Sequence, residues 1–237
     1  MGSQDIDKLY HFIKRQLDDR AELKMKSGHV KIQCPGLSFD IFVIQQIGLE
    51  IPTTDRRRII LSQQQLLIQF DKIINRLTVS SGHAHRIYAR QTVLARIDKR
   101  TAMAFQKEHH LQIALPGKYR YGLYLDGELV SAAIFSGGRK IRDKHEGYRS
   151  FELIRFCHKS DHIVIGGLSK LIHGFIKDFQ PNDIMTYVDL DWSQDSSLKK
   201  IGFQQTGYRK PELFWIHQDK QIPITNLQDF PEDTENH

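Results

Sequence analysis

Residues 151–179 read FELIRFCHKSDHIVIGGLSKLIHGFIKDF, and this stretch decides the fold. It opens on Phe151 to Cys157, which reads as a strand. After a polar connection come Ile163, Val164 and Ile165, then the pair Gly166-Gly167. From there Leu168, Leu171, Ile172, Phe175, Ile176 and Phe179 recur at helical spacing, so a helix with one buried face is expected. A glycine pair between a strand and a helix leaves the first backbone N–H groups of the helix without partners. Those groups and the helix dipole together attract phosphate. Taken alone, such a pair is also what a simple turn requires.

The same logic extends in both directions. Upstream, Tyr121 to Leu125 and Glu128 to Phe135 flank Asp126-Gly127, a hairpin signal because that dipeptide accepts positive φ angles. Arg86 to Ile97 is expected as a strand and Thr101 to Glu108 as a short helix. Gly137 to Ser150 is basic and without periodicity, which predicts a loop. Downstream, Pro181 and Asn182 end the helix. Asp183 to Asp189 reads as a buried strand, Ser196 to Ile201 as a short helix stopped by Gly202, and Leu213 to Ile216 as a last strand.

The N-terminal part differs in pattern. Ile6, Leu9, Tyr10, Ile13 and Leu17 predict an amphipathic helix over residues 6–26, ended by Gly28. His29 to Gln33 and Phe39 to Ile44 read as strands, Ser62 to Leu77 as a helix, and Arg56-Arg57-Arg58 as a surface turn. Ser80-Ser81-Gly82 is the linker candidate. The expected organisation is a small mixed domain over 1–80, a main domain over 83–217 and an acidic, loosely ordered tail over 218–237. The fold class is α+β (mixed α/β): a central, mostly antiparallel sheet flanked by helices, with an N-terminal α/β appendage.

Composition narrows the function. Of 237 residues, 40% are hydrophobic and 26% charged, the proportions of a folded globular chain. No apolar run is long enough to span a membrane and the N-terminus lacks a secretory pattern, so a cytoplasmic location without membrane association is expected. Cys34 and Cys157 are too few and too distant for a disulfide framework. His83 and His85 share a strand face without a third ligand nearby, and His109 and His110 point different ways, so no metal is expected. The net charge of +6 sits mainly on residues 81–217, with 21 basic and 14 acidic side chains. That surplus suits the phosphates of a cofactor or of DNA or RNA; the alternative is a solvated surface.

The order of hairpin, 151–157 strand, glycine loop, helix, Tyr187 strand and Ile201-Gly202-Phe203 resembles the GNAT acyltransferase superfamily. More narrowly, His110-Leu-Gln, Glu152-Leu-Ile-Arg155-Phe-Cys, Gly166-Gly-Leu-Ser-Lys, Tyr187-Val-Asp-Leu-Asp-Trp-Ser193 and Lys210-Pro211 resemble the GNAT-type domain of phage and intron homing-endonuclease proteins, which is similar to the Mom family of DNA-modification enzymes. The resemblance covers the C-terminal 130 residues or so. It implies an acyl-CoA-dependent N-acyltransferase, extending to nucleobase amines of DNA or RNA, with acetyl-CoA or another acyl-CoA as co-substrate. Ordinary N-acetylation of a small amine or protein, and a non-catalytic nucleic-acid-binding module of the same fold, are the alternatives.

What the resemblance implies for residues follows from the same motifs. The coenzyme diphosphate would lie on Ile165, Gly166, Gly167, Leu168, Ser169 and Lys170, and an oxyanion-stabilising amide on the backbone of Phe156, Cys157 and His158. An attacking amine must lose a proton, so Glu152, Asp189 and Asp191 are candidate bases and Tyr187 a candidate acid. The alternative for each carboxylate is a pairing with a neighbour such as Arg155. For a nucleic acid, Tyr148 and Trp192 would stack on bases and Arg139, Lys140, Arg142 and Lys144 would meet phosphates; core packing is the other reading for Trp192. The chain departs from the family pattern where Ile163 and Leu168 occupy loop positions and where Leu198 stands at the usual tyrosine. It also has Leu190 and Asp191 where related domains are basic.

Overall fold

A computed structural model describes residues 2–46, 51, 54–193, 197–210, 214–217 and 220–223. The chain divides into two compact units, Met1–Ser196 and Ser197–His237. The first begins with α1 (Gly2–Gln16), the hairpin β1 (Glu22–Lys26) and β2 (His29–Gln33), then β3 (Phe39–Ile44), β4 (Arg57–Ser62) and α2 (Gln63–Ser80). The four strands form one sheet in sequence order, antiparallel except for the parallel pair β3–β4. Ser62 starts α2 with a full capping box: its hydroxyl accepts from the Gln65 amide while the Gln65 side chain accepts from the Ser62 amide.

Then come β5 (His85–Tyr88), β6 (Val93–Arg96), α3 (Lys99–His109), β7 (Tyr119–Leu125), β8 (Glu128–Phe135), β9 (Ser150–His158), β10 (His162–Ile165), α4 (Gly167–Phe179) and β11 (Asp183–Met185). The main sheet has the order β11-β9-β8-β7-β6 and is antiparallel except at β11–β9. Its centre is β8, where Val130 to Phe135 are all buried because both faces are covered. On one face Phe135 stacks on Phe175 of α4 with ring centroids 4.0 Å apart. On the other, Ala132 and Ile134 pack with Ala102 and Phe105 of α3. The expected hairpin is β7–β8, with Asp126 at φ 50° and Gly127 at φ 84°. Among the described residues no helix is long and apolar enough to cross a membrane.

Several elements differ from the sequence reading, each for a local reason. The first helix stops at Gln16 because the buried Asp18 carboxylate takes the Gly36 amide at 2.6 Å and the Arg20 amide at 3.2 Å, a turn that competes with the helix. Residues 22–26 then form an exposed strand. The 86–97 run is two strands in two sheets, separated by a 3-10 turn at Ala89–Gln91, where the Gln91 side chain accepts from the Tyr88 amide. Arg57 and Arg58 of the triplet begin β4, with the Arg57 guanidinium 5.6 Å from the Phe39 ring centroid. The strand expected over 183–189 keeps only three residues.

In the second unit a 3-10 helix spans Ser197–Ile201, and β12 (Phe214–His217) pairs with β13 (Lys220–Pro223), so a strand lies in the segment expected to be loose. Ser196, Pro211, Leu213 and the tail from residue 224 lie outside the described residues.

Candidate functional site

The short β11 opens the centre of interest. It pairs with β9 only at Ser150, Phe151 and Glu152, although β9 runs on to His158. The cause is a β-bulge: Ile134 faces Arg155 and Phe135 faces Leu153, which leaves Ile154 as the extra residue of β9. A bulge bends its strand and increases the twist, here just past the last β11 partner. The Thr186 hydroxyl donates to the Leu153 carbonyl at 2.8 Å and closes the pairing. Beyond it β11 has ended and the rest of β9 has no β11 partner.

The pairing with β8 fixes which amides line the gap. Lys159 donates to Val130 at 3.0 Å, and Cys157 stands opposite Ala132 two residues earlier in the same register. Backbone groups alternate along an antiparallel strand, so the N–H groups of Phe156 and His158 turn away from β8, towards the open edge. Cys157 is buried against α3, and burial pushes its thiol up to about 12, which leaves it an inert packing group.

The glycine loop lies at the end of β10, which runs parallel to β5. Gly166 is the N-cap of α4 at φ 78°, a left-handed conformation that favours glycine, and no side chain caps the helix. Gly166 is exposed and Ile165 is 41% exposed, while the first helical turn is half-buried beyond a buried Gly167. A Cβ on Gly167 would meet the Val164 Cβ at 2.9 Å, so this glycine also sets how closely the helix follows β10. The amides of Gly167, Leu168 and Ser169 form the positive end of a 13-residue helix. Lys170 is engaged away from the loop: its ammonium donates to the carbonyls of Ala89, at 2.8 Å, and Thr92, fixing the turn between β5 and β6.

The candidate acid and base groups separate by environment. Glu152 is paired with Arg139 at 3.1 Å. Tyr187 is 55% exposed. The Asp189 carboxylate accepts from the Asp191 amide at 3.0 Å, and the Asp191 carbonyl accepts from the Ile60 amide of β4 at 2.9 Å. Asp191 lies open to solvent as a residue, yet partial enclosure of its carboxyl group and then the Asp189 charge push its pKa up to about 6, against the pull of Arg58. A carboxylate tuned to that range is suited to accept a proton near neutrality.

Trp192 belongs to the core. It is 2% exposed, packs in the cluster of Ile59, Leu61 and Leu66, and carries Arg76 of α2 over its ring at 4.7 Å. Its carbonyl accepts from Arg57 at 2.8 Å. Such a ring cannot stack on a base, which corrects that expectation. The Tyr148 hydroxyl donates to Asp183 at 2.7 Å and Lys144 sits 5.6 Å from the Tyr148 ring. Arg139 is drawn to Glu152, while Lys140 and Arg142 are exposed.

Sequence reasoning missed one component. A cavity of about 210 Å³ lies between α2 and the end of β9, with Lys72, Asn75 and Arg76 on one side and Phe156 and His158 on the other. Burial holds His158 down to about 4 and His110, also in the wall, down to about 3, so both rings are neutral at pH 7. On the helical pattern Lys72, Asn75 and Arg76 form a polar face, and only the tertiary fold turns that face towards β9.

No protein-family model matches the chain, and no curated protein matches it. Among solved structures, one similar chain is a ribosomal-protein-alanine N-acetyltransferase from Brucella melitensis biovar Abortus 2308, with 16% identity and a TM-score of 0.36 over 51% of this chain and 98% of that one. Another is the aminoglycoside acetyltransferase meta-AAC0020 from an uncultured soil metagenomic sample, in complex with trehalose, with 10% identity and a TM-score of 0.38 over 52% of this chain and 97% of that one.

Proposed function

We propose that the chain is a GNAT-type acyltransferase that moves an acyl group from acetyl-CoA or another acyl-CoA to an amine of a small molecule or protein. The observation that carries this reading is the end of β11 pairing at Glu152, which leaves the rest of β9 without a β11 partner, beside an uncapped helix N-terminus. The amides of Gly167, Leu168 and Ser169 would hold the diphosphate, and the open edge of β9 would run beside the thioester arm. The acceptor nitrogen attacks the thioester carbonyl carbon, forming the C–N bond. An outward amide of Phe156 or His158 stabilises the oxyanion, Asp191 takes the amine proton, and the C–S bond breaks. The thiolate leaves and takes a proton from solvent. A nucleobase acceptor, the narrower Mom-like reading, has less support because Trp192 is enclosed in the core.

The test is steady-state acetyl-CoA turnover against a panel of amines, measured across pH. With Asp191 as base, kcat/KM rises with pH through a limb near 6, because only the ionised carboxylate accepts a proton. Asp191→Asn should remove that limb and lower kcat about 100-fold. Absence of turnover, or a limb unchanged in the variant, contradicts the reading.

A further inference from the structure

The cavity between α2 and the end of β9 has a charge pattern that the transfer chemistry alone does not use. Among the described residues no aspartate or glutamate lines it, while Lys72 and Arg76 do. Arg76 is held in a particular way. The guanidinium carbon lies over the Trp192 ring, 4.7 Å from its centroid, and the planar group carries a fork of N–H donors. Among the described residues that fork has no hydrogen-bonded carboxylate. The Asp189 charge acts on it through space, and the Asp189 carboxylate accepts from the Asp191 amide. Burial lowers the Arg76 pKa, the mark of a cation whose lost hydration is incompletely replaced. Asn75, one position away on the same helix, adds an amide to the same wall.

We infer that this cavity is a carboxylate-binding subsite in which the Arg76 fork grips an anionic carboxylate and Asn75 and Lys72 assist. The inference rests on the acyltransferase reading and narrows its substrate class. The volume of about 210 Å³ is below the ~300–1,000 Å³ of sites that take a whole drug-sized ligand, so it suits the end of a substrate. Phe156 and His158, whose amides face the open edge of β9, share its wall, which sets the carboxylate close to the reacting thioester. The carboxylate belongs either to the acyl group or to the acceptor amine, and a guanidinium recognises both in the same bidentate way.

Calorimetry distinguishes the two sources. In one arm succinyl-CoA is titrated against acetyl-CoA; in the other, with coenzyme A present, β-alanine is titrated against β-alaninamide. The wild-type protein should prefer the carboxylate-bearing probe by tenfold or more in one arm. Arg76→Met removes the charge and Asn75→Asp adds a repelling carboxylate at almost unchanged volume. Each should reduce the preference to less than twofold, and the second variant reads the subsite even if the first fails to fold. No preference in either arm, or a preference that survives in any variant that folds, overturns the inference. Acetyl-CoA binding by the wild type separates that failure from failure of the acyltransferase reading itself.

Discussion

Ser169→Asp is expected to weaken coenzyme A binding about 100-fold, roughly 3 kcal/mol, while leaving the fold slightly more stable. The two effects have opposite signs because they share one cause. Ser169 is the third residue of α4, behind the uncapped Gly166, where the helix presents its positive end. A carboxylate there interacts favourably with the unpaired amides and the dipole, by about 0.3–1 kcal/mol. The same charge would stand beside the diphosphate and repel it. Gly167→Asp is a poorer probe, since its Cβ would press on Val164 at 2.9 Å and confound folding with binding. Urea midpoints and coenzyme A titrations on one Ser169→Asp preparation check both signs. Unchanged affinity would remove α4 from the coenzyme site.

The largest stability effect is expected at Trp192. Trp192→Ala should cost about 3–5 kcal/mol, a substantial part of the stability of an ordinary domain. The ring is 2% exposed among side chains of β4 and α2, with Arg76 over it, so truncation leaves a cavity lined by groups that cannot collapse together. The consequence reaches the proposed base. Asp191 is held by the Ile60 amide and Trp192 by Arg57, so losing the ring loosens the segment that keeps Asp191 partly enclosed. Its pKa should fall from about 6 towards the ordinary carboxylate value, and the pH limb should follow. A urea melt reads the first effect and the pH profile the second; a full-stability variant with an unmoved limb contradicts both.

Much of the central architecture was legible because it is written in local periodicity. The hairpin around Asp126-Gly127, the buried run of β9 and the stripe from Leu168 to Phe179 are apolar patterns whose period alone selects strand or helix. What stayed hidden depends on contacts distant in sequence. The apolar spacing of residues 6–26 does not reveal that Asp18 captures the Gly36 amide and turns the chain. The reading of Asp183 to Asp189 as one buried strand does not foresee the bulge at Ile154, beyond which β9 gives it no partner. In the site, the glycine pair was readable from composition as the junction between a strand and a helix, whereas the engagement of Lys170 with Ala89 and Thr92 was not. Arg76 was invisible for the same reason: a charged residue on an amphipathic helix reads as solvated until the fold sets it against Trp192 and β9.

The most direct measurement is a backbone amide NMR titration with coenzyme A. The largest shifts are expected on Gly167, Leu168 and Ser169 and on the outward amides of Phe156 and His158, with Cys157, whose amide faces β8, moving less. Saturable binding with shifts confined to other surfaces, or no binding at millimolar coenzyme A, would contradict the assignment of the coenzyme to this cleft.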